Sequence, residues 1–166
     1  MSVPEHKIIH DSVHGSVKVS GVFLELLHRP ELQRLHGIKQ LGLAHLVFPG
    51  ANHTRFEHSL GTYHVADLMC QALDLDQQDR DQALAAAMLH DIGHTPFSHT
   101  LEEVLENRFS LDHMELGASL VRGRGRCTAR ARGSTCPNWS RYARSLTGPG
   151  YHPRTFPTSS SPRGTR

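Results

Sequence analysis

Along the first half of the chain the spacing of apolar positions changes from strand-like to helical. Lys7-Ile8-Ile9-His10 and Ser16-Val17-Lys18-Val19 are short β-prone runs on either side of Asp11-Ser12-Val13-His14-Gly15, whose residues have turn chemistry. Residues 1–20 are therefore expected to form a hairpin leading into a helical body. Ser20 is placed to cap a helix through Leu24 and Leu27 to His28, and Pro30 fits the first turn of a second helix carrying Leu32 and Leu35. Pro49-Gly50 marks a loop that includes His53. Thr54-x-x-Glu57 then reads as a capping box opening a helix from Arg55 to Leu73, with Leu60, Tyr63, His64, Ala66, Met69 and Leu73 as its largely apolar face. After an acidic linker, Asp74 to Asp79, a helix from Arg80 to Asp91 carries Leu84, Ala87 and Met88 on one side. Thr100-x-x-Glu103 offers a further capping box, with Leu101, Val104 and Leu105 facing inward, and a last helix is expected from near Asp112 through Leu116 and Leu120. Apart from the hairpin, the body reads as all-α.

Charge divides the chain more sharply than periodicity does. Residues 1–121 hold 8 Lys and Arg against 16 Asp and Glu, a balance of −8; residues 122–166 hold 10 Arg and no acid. The acidic body is poorly suited to non-specific nucleic-acid binding, which depends on neutralising phosphates. Arg, Gly, Pro, Ser and Thr dominate residues 122–166, where apolar periodicity is absent, so disorder is expected there. The sudden loss of every acid and lysine resembles out-of-frame translation of a GC-rich gene, and 122–166 is read as a non-native, frameshift-like tail. With 166 residues the chain has room for one domain. No apolar run approaches a membrane span and the N-terminus lacks a signal-peptide layout, which places the chain in the cytoplasm. Cys70, Cys127 and Cys136 are too few and too irregularly spaced for a disulfide framework, and Cys70 reads as a packed thiol.

Of 14 histidines, 13 precede residue 114. His90-Asp91-Ile92-Gly93-His94-Thr95-Pro96-Phe97-Ser98-His99 concentrates three of them beside a carboxylate. Imidazole nitrogen with carboxylate oxygen suits a divalent cation such as Zn, Mn or Fe, and the adjacent His90-Asp91 pair can grip one ion together. On a continuous helix His94 would share a face with His90, one turn on. His94, His99 and His113 are acid/base candidates, because imidazole exchanges a proton near neutral pH. Arg55, three residues before His58 on the same helix face, offers a planar fork for phosphate oxygens. His6, His10, His28, His36, His45 and His64 show no mutual ligand spacing. His14 and His53 are assigned structural roles such as turn bracing.

His90-Asp91 followed by Gly93-His94-x-Pro96-Phe97-Ser98-His99 resembles the defining segment of the HD-domain metal-dependent phosphohydrolases, in the branch of the deoxynucleoside triphosphate triphosphohydrolases. Gly37-Ile38-Lys39-Gln40-Leu41-Gly42 and Val47-Phe48-Pro49-Gly50-Ala51-Asn52-His53-Thr54-Arg55-Phe56-Glu57-His58-Ser59-Leu60-Gly61 carry the same resemblance, which runs from about Ile9 to about Val121. It implies an HD-domain helical bundle, C-terminally incomplete, with residues 21–121 as its N-terminal part. It also implies a divalent metal ion (Zn, Mn, Fe or Mg) on His58, His90 and Asp91, His94 and His113 as the proton-transfer pair, and His99 as a phosphate or substrate contact. Gln40 and Leu41 match positions that contact sugar and base, although an ordinary polar residue at a helix end explains Gln40 equally well. A fourth ligand, an Asp on a later helix, has no counterpart, since no Asp follows Asp112; Glu115 sits in a different segment of the pattern.

The function so implied is a dGTPase-like, metal-dependent hydrolase cleaving dNTP to deoxynucleoside and triphosphate. Its partner is a nucleotide, homo-oligomers are allowed, no membrane is involved, and nucleic acid is not expected as a partner of the acidic body. Two alternatives stand beside it: an inactive or regulatory metal- or nucleotide-binding HD fragment, favoured by the missing aspartate, and an HD hydrolase of another phosphorylated nucleotide. An Arg-rich nucleic-acid binder rests on the tail alone. Lacking the fourth ligand, the chain as written is expected to be a poor enzyme.

Overall fold

The computed structural model describes residues 5–97, 107 and 113–121. The expected helix opened by Thr100, the imidazole of His99 and the Arg-rich tail 122–166 all lie outside these residues. Strands β1 (His6–Asp11) and β2 (Gly15–Ser20) pair antiparallel with Lys7 opposite Val19 and Ile9 opposite Val17, the expected hairpin. Asp11 makes the reversal: its carboxylate accepts from the backbone N–H of Val13 and of His14 at 3.1 and 2.8 Å, and Gly15 turns through a positive φ of 74°. Val17 and Val19 are fully buried, so one face of the hairpin closes over the helices.

The chain then passes through α1 (Gly21–Leu27) and α2 (Pro30–Gln33), the latter with proline in its first turn as expected, and on into a 3-10 turn at Arg34–Gly37. Ser20 stands at the N-cap of α1, but its side chain makes no capping bond; β2 runs straight into the helix with Gly21 at φ 58°. The segment then folds back: Lys39 bridges to Thr54, Gln40 N–H donates to the His53 carbonyl at 3.1 Å, and Arg55 N–H donates to that of Ile38 at 2.8 Å.

Helix α3 (Arg55–Ala72) opens on the expected capping box, with both the Thr54 hydroxyl and the Glu57 carboxylate bonded across the first turn. Its buried stripe is Phe56, Ser59, Leu60, Tyr63 and Cys70. Met69 and Leu73, expected on that stripe, are exposed instead among the described residues. Helix α4 (Gln77–Leu89) begins inside the expected acidic linker, where the Asp76 carboxylate caps the N–H of Asp79, and it ends before the metal motif rather than in it. Arg55 at the start of α3 meets Asp91 beyond the end of α4, and Asp67 late in α3 meets Arg80 early in α4, so the two helices run antiparallel. The last described helix, α5 (His113–Val121), matches the expected one. Leu26, Leu32, Leu35, Phe56, Leu60, Leu84, Met88 and Ile92 form one apolar core between these elements. No helix among the described residues is long and apolar enough to cross a membrane.

Because α3 starts on the capping box and carries the residues that meet Asp91, Thr54→Ala is expected to destabilise the fold by about 1 kcal/mol. Urea unfolding of the two proteins, compared at equal slope, measures it.

Candidate metal centre

Asp91 is the point of convergence. It follows the end of α4 in a turn closed by Ile92 N–H to the Leu89 carbonyl and His94 N–H to the Asp91 carbonyl, both 3.1 Å. Its Oδ1 lies 3.2 Å from His90 Nε2 and 3.4 Å from His94 Nε2; its Oδ2 lies 2.5 Å from Arg55 Nη1 and 3.8 Å from His58 Nε2. The Arg55 side chain is 1% exposed and that of Asp91 10%, so this is a buried ion pair. Burial alone would raise the Asp91 carboxyl, but His90, Arg55, His94 and His58 together outweigh it and hold the group below its ordinary value. The stability this contributes is therefore full above the usual carboxylate range and is lost only as pH falls through the depressed folded value.

His58, His90 and Asp91 each offer a donor atom within 4.8 Å of the other two. His90 Nδ1 lies 2.8 Å from the Ala87 carbonyl, an acceptor that fixes the proton on Nδ1 and leaves Nε2 as a lone pair. The Thr62 hydroxyl lies 2.9 Å from the same carbonyl and so ties α3 to the support of His90. Burial, ahead of every charged neighbour, lowers the His58 pKa and favours its neutral, ligating form. His58 Nε2 and His90 Nε2 are 3.2 Å apart. Two imidazole nitrogens bound to one ion at about 2.0–2.1 Å in tetrahedral geometry stand about 3.3 Å apart, so these three residues fit a divalent cation.

His94 reaches the centre by a route the sequence did not suggest. The helix has ended before His90, so His90 and His94 do not share a helical face. His90 is exposed and His94 is buried, and it is the turn that aims His94 at Asp91. The His94 ring stacks on that of His113 with centroids 4.1 Å apart and planes 13° from parallel. Gly93 allows this: a Cβ there would fall 2.0 Å from the His113 carbonyl oxygen and 2.5 Å from the Gly117 nitrogen, so α5 docks on bare backbone. Glu115, on the same helix, is exposed.

The HD domain family model matches residues 55–134, from the first residue of α3 through the metal turn and α5. A solved phosphohydrolase of Bacteroides thetaiotaomicron superposes with a TM-score of 0.61 at 38% identity over 70% of this chain and 30% of its own. Residues 55–134 of this chain belong to the HD-domain family. An uncharacterized protein of Methanocaldococcus jannaschii is 49% identical to it over 96 residues, 58% of this chain and 21% of the relative. Human SAMHD1, a deoxynucleoside triphosphate triphosphohydrolase, is 41% identical over 103 residues, 58% of this chain and 16% of the relative. The chain spans less than a third of the length of these proteins.

A cleft of about 560 Å³ opens on the His58 side of α3, lined also by Asp11, His14, His53 and Glu57. His14 lies against α3, where its Nε2 is 3.1 Å from the position of a Cβ on Gly61, and its ring centroid is 5.4 Å from that of His64. Sequence reasoning assigned His14 and His53 to turns; the hairpin and the loop before α3 bring both to the cleft that His58 borders. Leu41 is exposed and Gln40 half-buried, tied by its backbone to His53. Sequence reasoning also passed over Arg34, whose guanidinium bonds to the carbonyls of Ile92 and His94.

Asp91→Ala removes the carboxylate that faces a buried guanidinium and is expected to cost about 3–5 kcal/mol, whereas the double variant Arg55→Met/Asp91→Leu should recover most of that loss. Equilibrium unfolding of wild type, the single and the double variant measures the difference.

Proposed function

We propose that this HD domain belongs to a metal-dependent phosphohydrolase that acts on a nucleotide, most like the enzymes that cleave dNTP to deoxynucleoside and triphosphate. The observation that carries the reading is the meeting of His58, His90 and Asp91 around one point, with Arg55 and His94 also within reach of Asp91. When bound there, a divalent cation supplies Lewis acidity toward a phosphoryl oxygen. The chain's own residues supply the rest. Arg55 fixes Asp91 and adds positive charge beside the phosphate, offsetting the negative charge that develops there. Of the pair His94 and His113, His94 holds the proton that passes to the leaving oxygen, and the His113 ring stacked on it fixes the plane of the imidazole. His99 contacts phosphate or substrate. Gln40 and Leu41 lie on the segment tied to His53 and face the sugar and base. The likeness to human SAMHD1, a deoxynucleoside triphosphate triphosphohydrolase 41% identical over 103 residues, supports the dNTP class, and a cytoplasmic nucleotide pool is the matching location.

A second reading is a metal- or nucleotide-binding HD fragment without turnover. It is favoured by one sequence fact: residues 113–166 contain no Asp, so within the given residues the fourth carboxylate implied by the resemblance has no counterpart. A missing carboxylate removes charge that balances the cation and a contact that fixes its geometry.

One experiment separates the readings. Elemental analysis of the purified chain and of His58→Ala, His90→Ala and Asp91→Ala should find a divalent transition metal in the wild type and little in the variants. Incubation with each dNTP should release deoxynucleoside and triphosphate. Metal without release favours the binding fragment, and equal metal in all four proteins refutes the ligand assignment.

A further inference from the structure

The turn that carries Asp91 and His94 is held from outside by a residue 58 to 60 positions earlier in the chain. Beyond the last turn of a helix the backbone carbonyls have no helical partner. Here the carbonyl of His94 accepts from Arg34 Nη1 at 2.8 Å and that of Ile92 accepts from Arg34 Nη2. Arg34 itself is anchored by its neighbours: Leu32 and Leu35 on either side are 1% and 0% exposed, and Ile92 packs with them in the core at 0%. A carbonyl two residues further along points from a different part of the turn, so two bonds from one rigid plane fix its orientation as well as its position. Asp91 and His94 are mounted on that turn. Arg34 is half-buried, and that burial, opposed in part by Glu31, lowers its pKa; in such a partly desolvated setting each bond counts for more.

We propose that Arg34 is a positioning residue for the metal centre: its planar fork across the Ile92 and His94 carbonyls sets the geometry in which Asp91 meets His58 and His90. The inference rests on the metal-centre reading above. Lysine keeps the charge of Arg34 but is a point donor and cannot span both carbonyls.

The test uses the full chain and Co²⁺ alone as the probe, read by its visible ligand-field absorption and by titration, with thermal unfolding of the metal-free proteins alongside. Arg34→Lys and Arg34→Ala should bind Co²⁺ about 10- to 100-fold more weakly than wild type, with shifted bands. Methylguanidinium should restore both properties to Arg34→Ala, and methylammonium should not. Wild-type affinity and bands in either folded variant overturn the proposal, as does equal rescue by methylammonium, which would reduce the role to charge. Should Arg34→Ala fail to unfold cooperatively, Arg34→Lys decides in the same two directions. A wild-type chain that binds no Co²⁺ refutes the metal centre itself, an outcome distinct from one in which wild type binds and the variants match it.

Discussion

The guanidinium of Arg55 and the carboxylate of Asp91 meet 2.5 Å apart in the interior, and the rest of the site is arranged around that contact. Placing both charges there is costly unless each is matched, and removing either one takes from the other its nearest opposite charge. The pair therefore fixes how the start of α3 sits against the end of α4. Arg55 is the first residue of α3, so the capping box that sets where the helix begins also sets where the guanidinium enters. His58, one turn further on, arrives beside His90 as a result. The same carboxylate serves two masters: Oδ2 faces Arg55, and Oδ1 faces His90 and His94.

Around this pair the supports are of different chemical kinds. The Ala87 carbonyl orients His90 and is also reached by the Thr62 hydroxyl of the facing helix. Bare backbone at Gly93 lets α5 approach until His113 lies over His94. On the other side of α3 the hairpin delivers His14 to the cleft that His58 borders, with Gly61 leaving room for its ring. A small domain thus draws site residues from the hairpin, the loop before α3, both long helices, the turn after α4, and α5.

Much of this was legible in the residues. Alternation around Asp11–Gly15 gave the hairpin, and Thr54 with Glu57 gave the start of α3, because both signals are local and the backbone bonds they imply do form. The triad His58, His90 and Asp91 was also readable from composition joined to a family pattern, and the structure brings its donor atoms together. Other features depended on contacts far apart in sequence. Met69 and Leu73 fit an apolar helical face, yet among the described residues both are exposed. His90 and His94 were spaced for one helical face, but the helix stops at Leu89, and the turn makes the connection in a different way. Arg55 was read as a fork for phosphate oxygens; that its guanidinium is buried against Asp91, 36 residues on, was not legible. Arg34 carried no local signal at all, since an arginine in a short 3-10 turn is ordinary until the carbonyls it meets are known.

The central claim is that His58 and His90 ligate one cation through Nε2 with Asp91 beside them. X-ray absorption of the metal-loaded chain tests it most directly. The account predicts a first shell containing two imidazole nitrogens at about 2.0–2.1 Å, with the outer-ring scattering that distinguishes imidazole from other nitrogen and oxygen donors. A shell made of oxygen alone, with no imidazole scattering, would contradict it.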